Sequence, residues 1–262
     1  MNRSFPNSRD EGQSNENEIA AEAVRDELGA LRPLELRPEV LRQYSPLGGF
    51  ELGEHGENFA AAVWLLTQTA RLGTPIDGFP PEVSRRVEQA RDRLETIVSW
   101  LGQLTPRAIN SITVQHAPTN EVIFSVVEEP YDKPVTARSL SDGTLRFAAL
   151  AVAVLGTSGR QTLLVEEVEN GINPTRLNLL IRMLERATST GPDVQVLAST
   201  HSPGVLDSAS HDTVKNAIVL GWDNEAMCST AITIGELPVE DQDDVTVGQL
   251  QAEGWLQLAA NR

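Results

Sequence analysis

The spacing of apolar residues predicts a mainly helical first part of the chain. Apolar positions recur at helical spacing over residues 19–31, 56–72 and 80–101. Between the first two helices, the stretch LRPLELRPEVLRQYSPLGG breaks regular structure with three prolines and paired glycines. The opening residues lack periodic apolar positions altogether. We therefore predict a disordered tail over residues 1–18 and a helical lobe with a connecting arm over residues 19–110.

The pattern changes in the second part, where strands and helices alternate. Two β-branched runs, 112–115 and 122–127, flank a turn-rich hexapeptide and predict a hairpin. The elements predicted after it are a helix over 141–155, a strand over 162–166, a helix over 174–187, a strand over 194–199, a short helix over 203–208 and a strand over 217–221. This alternation predicts an α/β fold with parallel strands and flanking helices over residues 111–235. The apolar strand cores LLV and VQVL are typical of strands covered on both faces.

Composition narrows the classes of function. The formal net charge of −16 and the pI near 4.6 argue against DNA binding by this chain alone, because phosphate contacts require clustered basic residues. The apolar runs are shorter than the roughly 20 residues that a membrane helix needs, and the first residues do not form a secretory signal. Cys228 is the only cysteine, which excludes an internal disulfide and a cysteine-based zinc cluster. We predict a cytoplasmic protein.

The first motif with candidate chemistry is TLLVEEVENGINP, an apolar strand followed by acidic residues and a turn. Open α/β sheets bind ligands beyond the carboxyl ends of their strands, where Glu166 and Glu167 are expected. One carboxylate can hold the water shell of Mg²⁺, while its neighbour orients a water for phosphoryl transfer. The alternative is a solvated acidic pair at a strand end, and this motif alone does not decide between the two.

Two further motifs lie on either side of the acidic pair. In SLSDGTLR, Ser141, Asp142 and Gly143 open a helix whose first free amides can hold a phosphate, although ordinary helix capping explains the motif equally well. In VLASTHSPG, His201 follows a strand and can donate a hydrogen bond to a phosphate, or be a capping residue only. Each interval between the motifs contains a helix and a strand, so their order and placement agree.

On these three motifs the chain resembles the ABC-type ATPases, particularly the SMC/RecF-like branch of AAA-family ATP-binding proteins. LSDGT is similar to the signature motif, LLVEE to the Walker B strand, NGIN to the D-loop and STHSP to the H-loop. The resemblance implies Glu166 near Mg²⁺, Glu167 as the base or water-positioning residue and His201 on the γ-phosphate of ATP. It also implies that one group of residues contacts the nucleotide or the dimer interface: Ser141, Asp142, Gly143, Asn170, Gly171 and Asn173.

The phosphate-binding loop of this family has no counterpart in the sequence. No GxxxxGK[ST] occurs, and GTSGRQT at 156–162 lacks the lysine. We therefore expect a partial P-loop NTPase sheet, the C-terminal half of an ATPase domain without its Walker A lobe. The family implies a head-to-tail homodimer or a complex with a Walker A-containing ATPase subunit, with DNA reached only through a partner. The alternatives are a non-enzymatic interaction subunit that presents its signature face to a complete ATPase, or an inactive remnant.

The last part of the chain offers little further chemistry. Residues 236–262 are predicted to form an acidic extension, too short for an added nuclease domain. Its acidic residues are interpreted as a solvated loop in preference to a metal site.

Overall fold

The regular elements follow in chain order from residue 31. A computed structural model describes residues 24–25, 28–48, 52–71, 81–131, 133–156, 160–190, 194–237 and 246–261. The first elements are β1 (Leu31–Leu34), α1 (Pro38–Leu41), β2 (Ser45–Pro46), α2 (Phe59–Arg71), α3 (Pro81–Gly102), β3 (Ile109–His116), β4 (Glu121–Glu128) and β5 (Pro134–Thr136). They are followed by α4 (Asp142–Leu155), β6 (Gln161–Val165), α5 (Leu177–Ser189), β7 (Val194–Ala198), α6 (Pro203–Ser208), α7 (His211–Lys215), β8 (Ile218–Asp223), β9 (Cys228–Thr233), α8 (Val247–Ala252) and α9 (Trp255–Ala260).

The parallel sheet is formed by strands that lie far apart in the sequence. Its order is β1-β6-β7, and both strand pairs are parallel, with Leu34 beside Val165 and Val165 beside Ala198. The carboxyl ends of all three strands therefore meet at one edge of the sheet, with helices on its buried face. This arrangement confirms the predicted α/β class with parallel strands and flanking helices.

A second, antiparallel sheet supports the first part of the chain. Its order is β2-β4-β3, and β5 pairs with the other part of β4. The two long helices α2 and α3 pack on β3, and the rings of Phe59 and Phe124 lie with their centroids 4.6 Å apart. Helix α4 is apolar around most of its circumference and lies buried in the same core, since it packs against α3 and α5. None of the described helices is long and apolar enough to cross a membrane.

The connecting arm contains regular structure that the sequence did not predict. The described residues 24–25 and 28–29 are helical, as expected for a helix over residues 19–31, but this helix does not extend to Leu31, which begins strand β1. Proline weakens the strand signal there, but a strand at the edge of a sheet tolerates Pro33. Residues 19–23 and 26–27 of that expected helix, the predicted tail and residues 240–244 of the acidic extension lie outside the described residues.

The end of the described chain also differs from the prediction. The strand predicted over 217–221 does not join the parallel sheet but forms an antiparallel hairpin, β8 with β9. Helix α9 packs on this hairpin around Val219 and Leu256, which belong to a small separate core. The turn at residues 224–227 lacks a strong hairpin signal in the sequence. The alternation of strands and helices therefore indicated another parallel strand.

Strand β7 departs from the expectation that its apolar residues are covered on both faces. Leu197 is 62% exposed, and Ala198 is exposed beside it. The core LLV of β6 agrees better with the prediction, since Leu163 and Val165 are buried. The sequence pattern shows which residues are apolar, but it cannot show whether a second layer lies over them.

Candidate functional site

The acidic turn, residues 166–169, follows β6 at the carboxyl edge of the parallel sheet. The side chains of Glu166 and Glu167 are exposed there. Glu167 has a backbone φ of +44°, a conformation that non-glycine residues rarely adopt. Its N–H donates to the Ser199 hydroxyl at 3.1 Å, and its carbonyl accepts from the Asn170 N–H at 2.8 Å. These bonds hold the strained turn with both carboxylates facing solvent.

The histidine loop, residues 199–202, lies directly beside the acidic turn. The Glu169 carboxylate accepts a hydrogen bond from the His201 backbone N–H at 3.0 Å, and the Val168 N–H donates to the Ser199 carbonyl at 3.1 Å. The His201 side chain is exposed. The structure thus brings Glu166, Glu167 and His201 to one edge. Sequence reasoning missed Glu169, although it is the third acidic residue of the same motif.

The SDG segment, residues 141–143, begins helix α4 as the sequence predicted. The Ser141 hydroxyl accepts from the Thr144 N–H at 3.1 Å, which makes Ser141 the N-cap. The Asp142 carboxylate forms an ion pair with Arg42 at 2.6 Å, and the same guanidinium donates to the Leu140 carbonyl at 2.8 Å. The Arg42 guanidinium therefore compensates the negative charge of Asp142. The helix N-terminus itself favours a negatively charged group.

The SDG segment packs directly on the NGIN turn, residues 170–173. A Cβ added to Gly143 would lie 2.6 Å from the Gly171 carbonyl oxygen, so only glycine allows this approach. Gly171 itself has a φ of +72°. The Arg146 guanidinium, one turn into α4, donates to the Asn170 carbonyl at 3.0 Å. Two predicted motifs are thus in contact within one chain, and Arg146, which the sequence did not single out, joins them.

Asn173 stabilises the turn that follows the NGIN segment. Its side-chain oxygen accepts from the N–H and from the hydroxyl of Thr175, each at 3.0 Å, and so caps the short 3₁₀ turn that precedes α5. The Asn170 side chain is exposed at the other end of the turn. Both asparagine side chains are exposed, and that of Asn173 uses its oxygen for the cap.

A small cleft of about 20 Å³ separates the acidic turn from Arg146. It is lined by Leu34, Leu36, Arg146, Leu150, Val165, Glu166, Glu167, Val168 and Asn170. This volume suits about one water molecule, far less than a nucleotide requires. The exposed carboxylates are suitable ligands for Mg²⁺, which is usually bound through one or two carboxylates, waters and substrate phosphates. The described residues at this edge therefore fit a magnesium ion held jointly with phosphate, but they do not enclose the phosphate.

A larger groove of about 710 Å³ lies elsewhere and contains none of the motif residues. It is lined by Trp100, Arg182, Glu185, Arg186, Thr188, Ser189, Ser210 and Thr213. Burial raises the pKa of Glu185, but hydrogen bonds from the Thr213 hydroxyl and the Ser210 N–H outweigh this effect and lower the pKa below its ordinary value. Glu185 thereby joins α5 to the start of α7. Size alone does not make this groove the site, because the predicted chemistry lies at the sheet edge.

Comparison with known families gives one match that covers most of the chain. Residues 8–207 match the family described as "AAA domain, putative AbiEii toxin, Type IV TA system". No curated protein matches the chain.

Several solved structures match part of this chain at low sequence identity. One, described under ATP-driven dimerisation and DNA-stimulated activation of SMC ATPases, is 11% identical with a TM-score of 0.41, and the match covers 55% of this chain and 84% of that one. An Smc head bound to the C-terminal winged-helix domain of ScpA is 10% identical with a TM-score of 0.42, covering 64% and 53%. The SMC head domain from Thermotoga maritima is 12% identical with a TM-score of 0.37, covering 65% and 51%. The chain thus spans about half the length of the last two.

Proposed function

The chain belongs to the AAA domain family, and we propose that it contributes the hydrolytic half of a composite ATP site whose Walker A loop is supplied by another polypeptide. The family relationship makes it an ATPase-type domain. One observation carries the finer proposal: the acidic turn and the histidine loop are tied together at the carboxyl edge, yet the cleft beside them holds about one water. In this proposal the side chains at the edge act on a phosphate whose cradle comes from outside the described residues.

Each residue at the edge has a separate role in this proposal. Glu166 would hold Mg²⁺, which when bound neutralises charge on the phosphates of ATP. Glu167 would orient the attacking water, because its backbone conformation is held by the Ser199 hydroxyl and its carboxylate is exposed. The His201 ring would donate to the terminal phosphate, with its backbone fixed by Glu169. These assignments rest on the motif resemblance together with this geometry.

The SDG segment would contact a nucleotide held by a facing ATPase subunit. The hydroxyls of Ser141 and Thr144 lie 2.8 Å apart, and Thr144 is buried. If Thr144 donates to Ser141, the exposed Ser141 hydroxyl keeps its own hydrogen for a phosphate oxygen. The pairing of Asp142 with Arg42 reduces the repulsion that a free carboxylate would exert on that phosphate. Assembly would be head-to-tail, either with a second copy or with a complete ATPase.

A second candidate is a non-enzymatic subunit that uses only its SDG face. The small volume of the cleft favours it to the extent that the described residues cannot enclose ATP. In this case Glu166 and Glu167 would be dispensable, and the complete partner would perform hydrolysis in its own site.

Mixing experiments separate the two candidates. Mg²⁺-dependent ATP hydrolysis is measured for the purified chain and for its complex with a Walker A-bearing polypeptide. In the composite site, Glu167→Gln lowers the activity of the complex at least about 100-fold, in line with loss of a water-orienting group. The matched control Glu225→Gln removes an exposed acid from the β8–β9 turn and leaves activity unchanged. Activity that survives Glu167→Gln but is lost with Ser141→Arg establishes the second candidate instead.

A further inference from the structure

Two arginines of the larger groove stand without an ionic partner among the described residues. Arg182 and Arg186 lie one turn apart on α5, and both are exposed. Within the part of the chain that the structure describes, neither guanidinium forms an ion pair or a hydrogen bond. Arg37 and Arg42, in contrast, each pair with a carboxylate, at 2.8 and 2.6 Å. The groove therefore presents available positive charge in a chain whose formal net charge is −16.

Glu185, the acid that lies between these arginines in the sequence, is engaged elsewhere. It follows Arg182 by three residues, a spacing at which opposite charges on a helix commonly pair. Its carboxylate instead accepts from the Ser210 N–H at 2.8 Å and from the Thr213 hydroxyl at 2.7 Å. Both donors belong to the start of α7. Glu185 is therefore held towards α7, and the two guanidinium groups stay available to a ligand.

The rest of the lining favours a ligand that accepts hydrogen bonds. The hydroxyls of Thr188 and Ser189 donate to carbonyl groups of α5 itself at 3.0–3.1 Å, so they are already used. Trp100 lines the groove from the end of α3, and its indole N–H can only donate. The groove has a volume of about 710 Å³, of which a lone phosphate or acetate ion fills a small part. A stretch of polypeptide that carries carboxylates suits both the donors and the size.

We propose that this groove binds an acidic segment of a partner protein, with one carboxylate on Arg182 and a second on Arg186. Side chains one turn apart on a helix have Cβ atoms about 5–6 Å apart. In an extended segment, acidic residues at alternate positions lie about 6.5 Å apart and point to the same side. Each guanidinium can then bind its carboxylate through two parallel N–H donors. The inference does not depend on the proposed function, because the groove contains none of the motif residues.

Charge favours a short acidic segment over nucleic acid as the occupant. A DNA duplex carries one negative charge per about 1.7 Å of its axis, so its approach to a chain of net charge −16 is opposed along its whole length. A segment with two acidic residues brings only the charge that the two arginines neutralise. Recognition of acidic motifs by clustered arginines is, moreover, a recurring mode of peptide binding.

The test uses two synthetic peptides that differ only in their acidic groups. The peptide GSDLDSG and its amide counterpart GSNLNSG, both with blocked ends and a dye of no net charge, are titrated with the purified full chain in fluorescence anisotropy at about 50 mM salt, where screening is weak. We expect the acidic peptide to bind with a Kd below about 1 mM, and the amide peptide to bind at least about 10-fold more weakly, because it offers no charged acceptor.

Substitutions in the chain identify the place of binding. Arg182→Gln and Arg186→Gln are each expected to weaken binding of the acidic peptide about 10-fold, the usual effect of losing a charge-assisted hydrogen bond. The matched control is Arg71→Gln, which removes an exposed arginine at the end of α2 and should change the affinity less than twofold. Circular dichroism and thermal unfolding confirm that the three variants are folded.

Three outcomes overturn the inference. The first is that the acidic peptide does not bind, or that the amide peptide binds equally well. The second is that Arg182→Gln and Arg186→Gln bind the acidic peptide as tightly as Arg71→Gln does. The third is that a DNA duplex binds the chain more tightly than the acidic peptide and loses this binding in Arg182→Gln, which would assign the groove to nucleic acid.

Discussion

Glu167 has a strained backbone conformation and an exposed carboxylate. Substitutions can separate the effect of the strain on stability from the effect of the carboxylate on activity. With φ at +44°, any side chain with a Cβ costs about 1–2 kcal/mol at this position, and glycine avoids that cost. We expect Glu167→Gly to exceed Glu167→Ala in free energy of unfolding by about 1 kcal/mol in urea titrations, while both lack the carboxylate to which we assign the water-orienting role. Equal stability of the two variants would show that the turn is not left-handed in solution.

Gly143 tests the contact between the SDG segment and the NGIN turn. In Gly143→Ala the new Cβ meets the Gly171 carbonyl at 2.6 Å, and a backbone oxygen cannot move away easily. We expect a loss of about 1–3 kcal/mol in the free energy of unfolding, the usual cost of overpacking. The control is Gly29→Ala, where the added Cβ has no heavy atom within 4 Å, and its stability should be unchanged or slightly higher. A Gly143→Ala chain as stable as this control would mean that the two turns separate readily.

At the residue scale, the sequence predicted groups that act locally and missed groups that act across the chain. The SDG motif predicts a capped helix start at Ser141 or Asp142, because the cap and the helix are adjacent in sequence, and Ser141 is the cap in the structure. Arg146 and Glu169 gain their roles from Asn170 and His201, which lie 24 and 32 residues away. Such pairings become visible only when the motifs meet in space.

Helices α5 and α7 are joined by Glu185, which predicts a dependence of stability on pH. The lowered pKa means that the ionised carboxylate stabilises the folded chain above the ordinary pKa of about 4.5, and that this contribution is lost as the pH falls through the lowered pKa. We expect Glu185→Gln to reduce the free energy of unfolding at pH 7 and to differ less from the unaltered chain below pH 4. The measurement is urea unfolding across pH 3 to 7.

The control for this prediction is Glu225→Gln, which removes an exposed carboxylate of the β8–β9 turn. Its difference from the unaltered chain should show no comparable change across the same pH range. If the Glu185→Gln difference grows as the pH falls, the hydrogen bonds from Ser210 and Thr213 do not favour the ionised form.

At the element scale, strong periodicity was a good guide and weak signals were not. Helix α6 has the predicted bounds. Helix α4 begins one residue after its predicted start, because the cap and the apolar run of α4 are both clear in the sequence. Strand β1 was missed because it is four residues long and includes Pro33. Strand β8 was assigned to the wrong sheet because neighbouring strands along a chain do not reveal their pairing partner.

At the scale of the whole molecule, the pattern of apolar residues in one chain does not show whether a second chain covers them. The apolar residues of β7 predicted a strand covered on both faces, and the structure leaves Leu197 open. If a second chain covers this face, the pattern is correct for the assembled protein. The same reasoning applies to the proposed composite site, where Glu166 and Glu167 line a cleft of only about 20 Å³.

The net charge of the chain predicts that its surface does not bind DNA. A formal charge of −16 repels a polyanion, and nonspecific DNA affinity comes almost entirely from neutralised phosphates. We expect no binding of a 30-base-pair duplex by the chain alone at 150 mM salt in fluorescence anisotropy, up to protein concentrations of about 100 μM. Any DNA affinity of the assembly would then belong to the partner.

The groove that contains Arg182 and Arg186 is the place where this expectation can fail. Its lining contains two guanidinium groups, together with Glu185 and Trp100. If the chain alone binds the duplex at micromolar concentration, and if Arg182→Glu abolishes that binding, the local field of the groove outweighs the net charge. DNA contact would then belong to this chain, at a surface separate from the edge where hydrolysis is proposed.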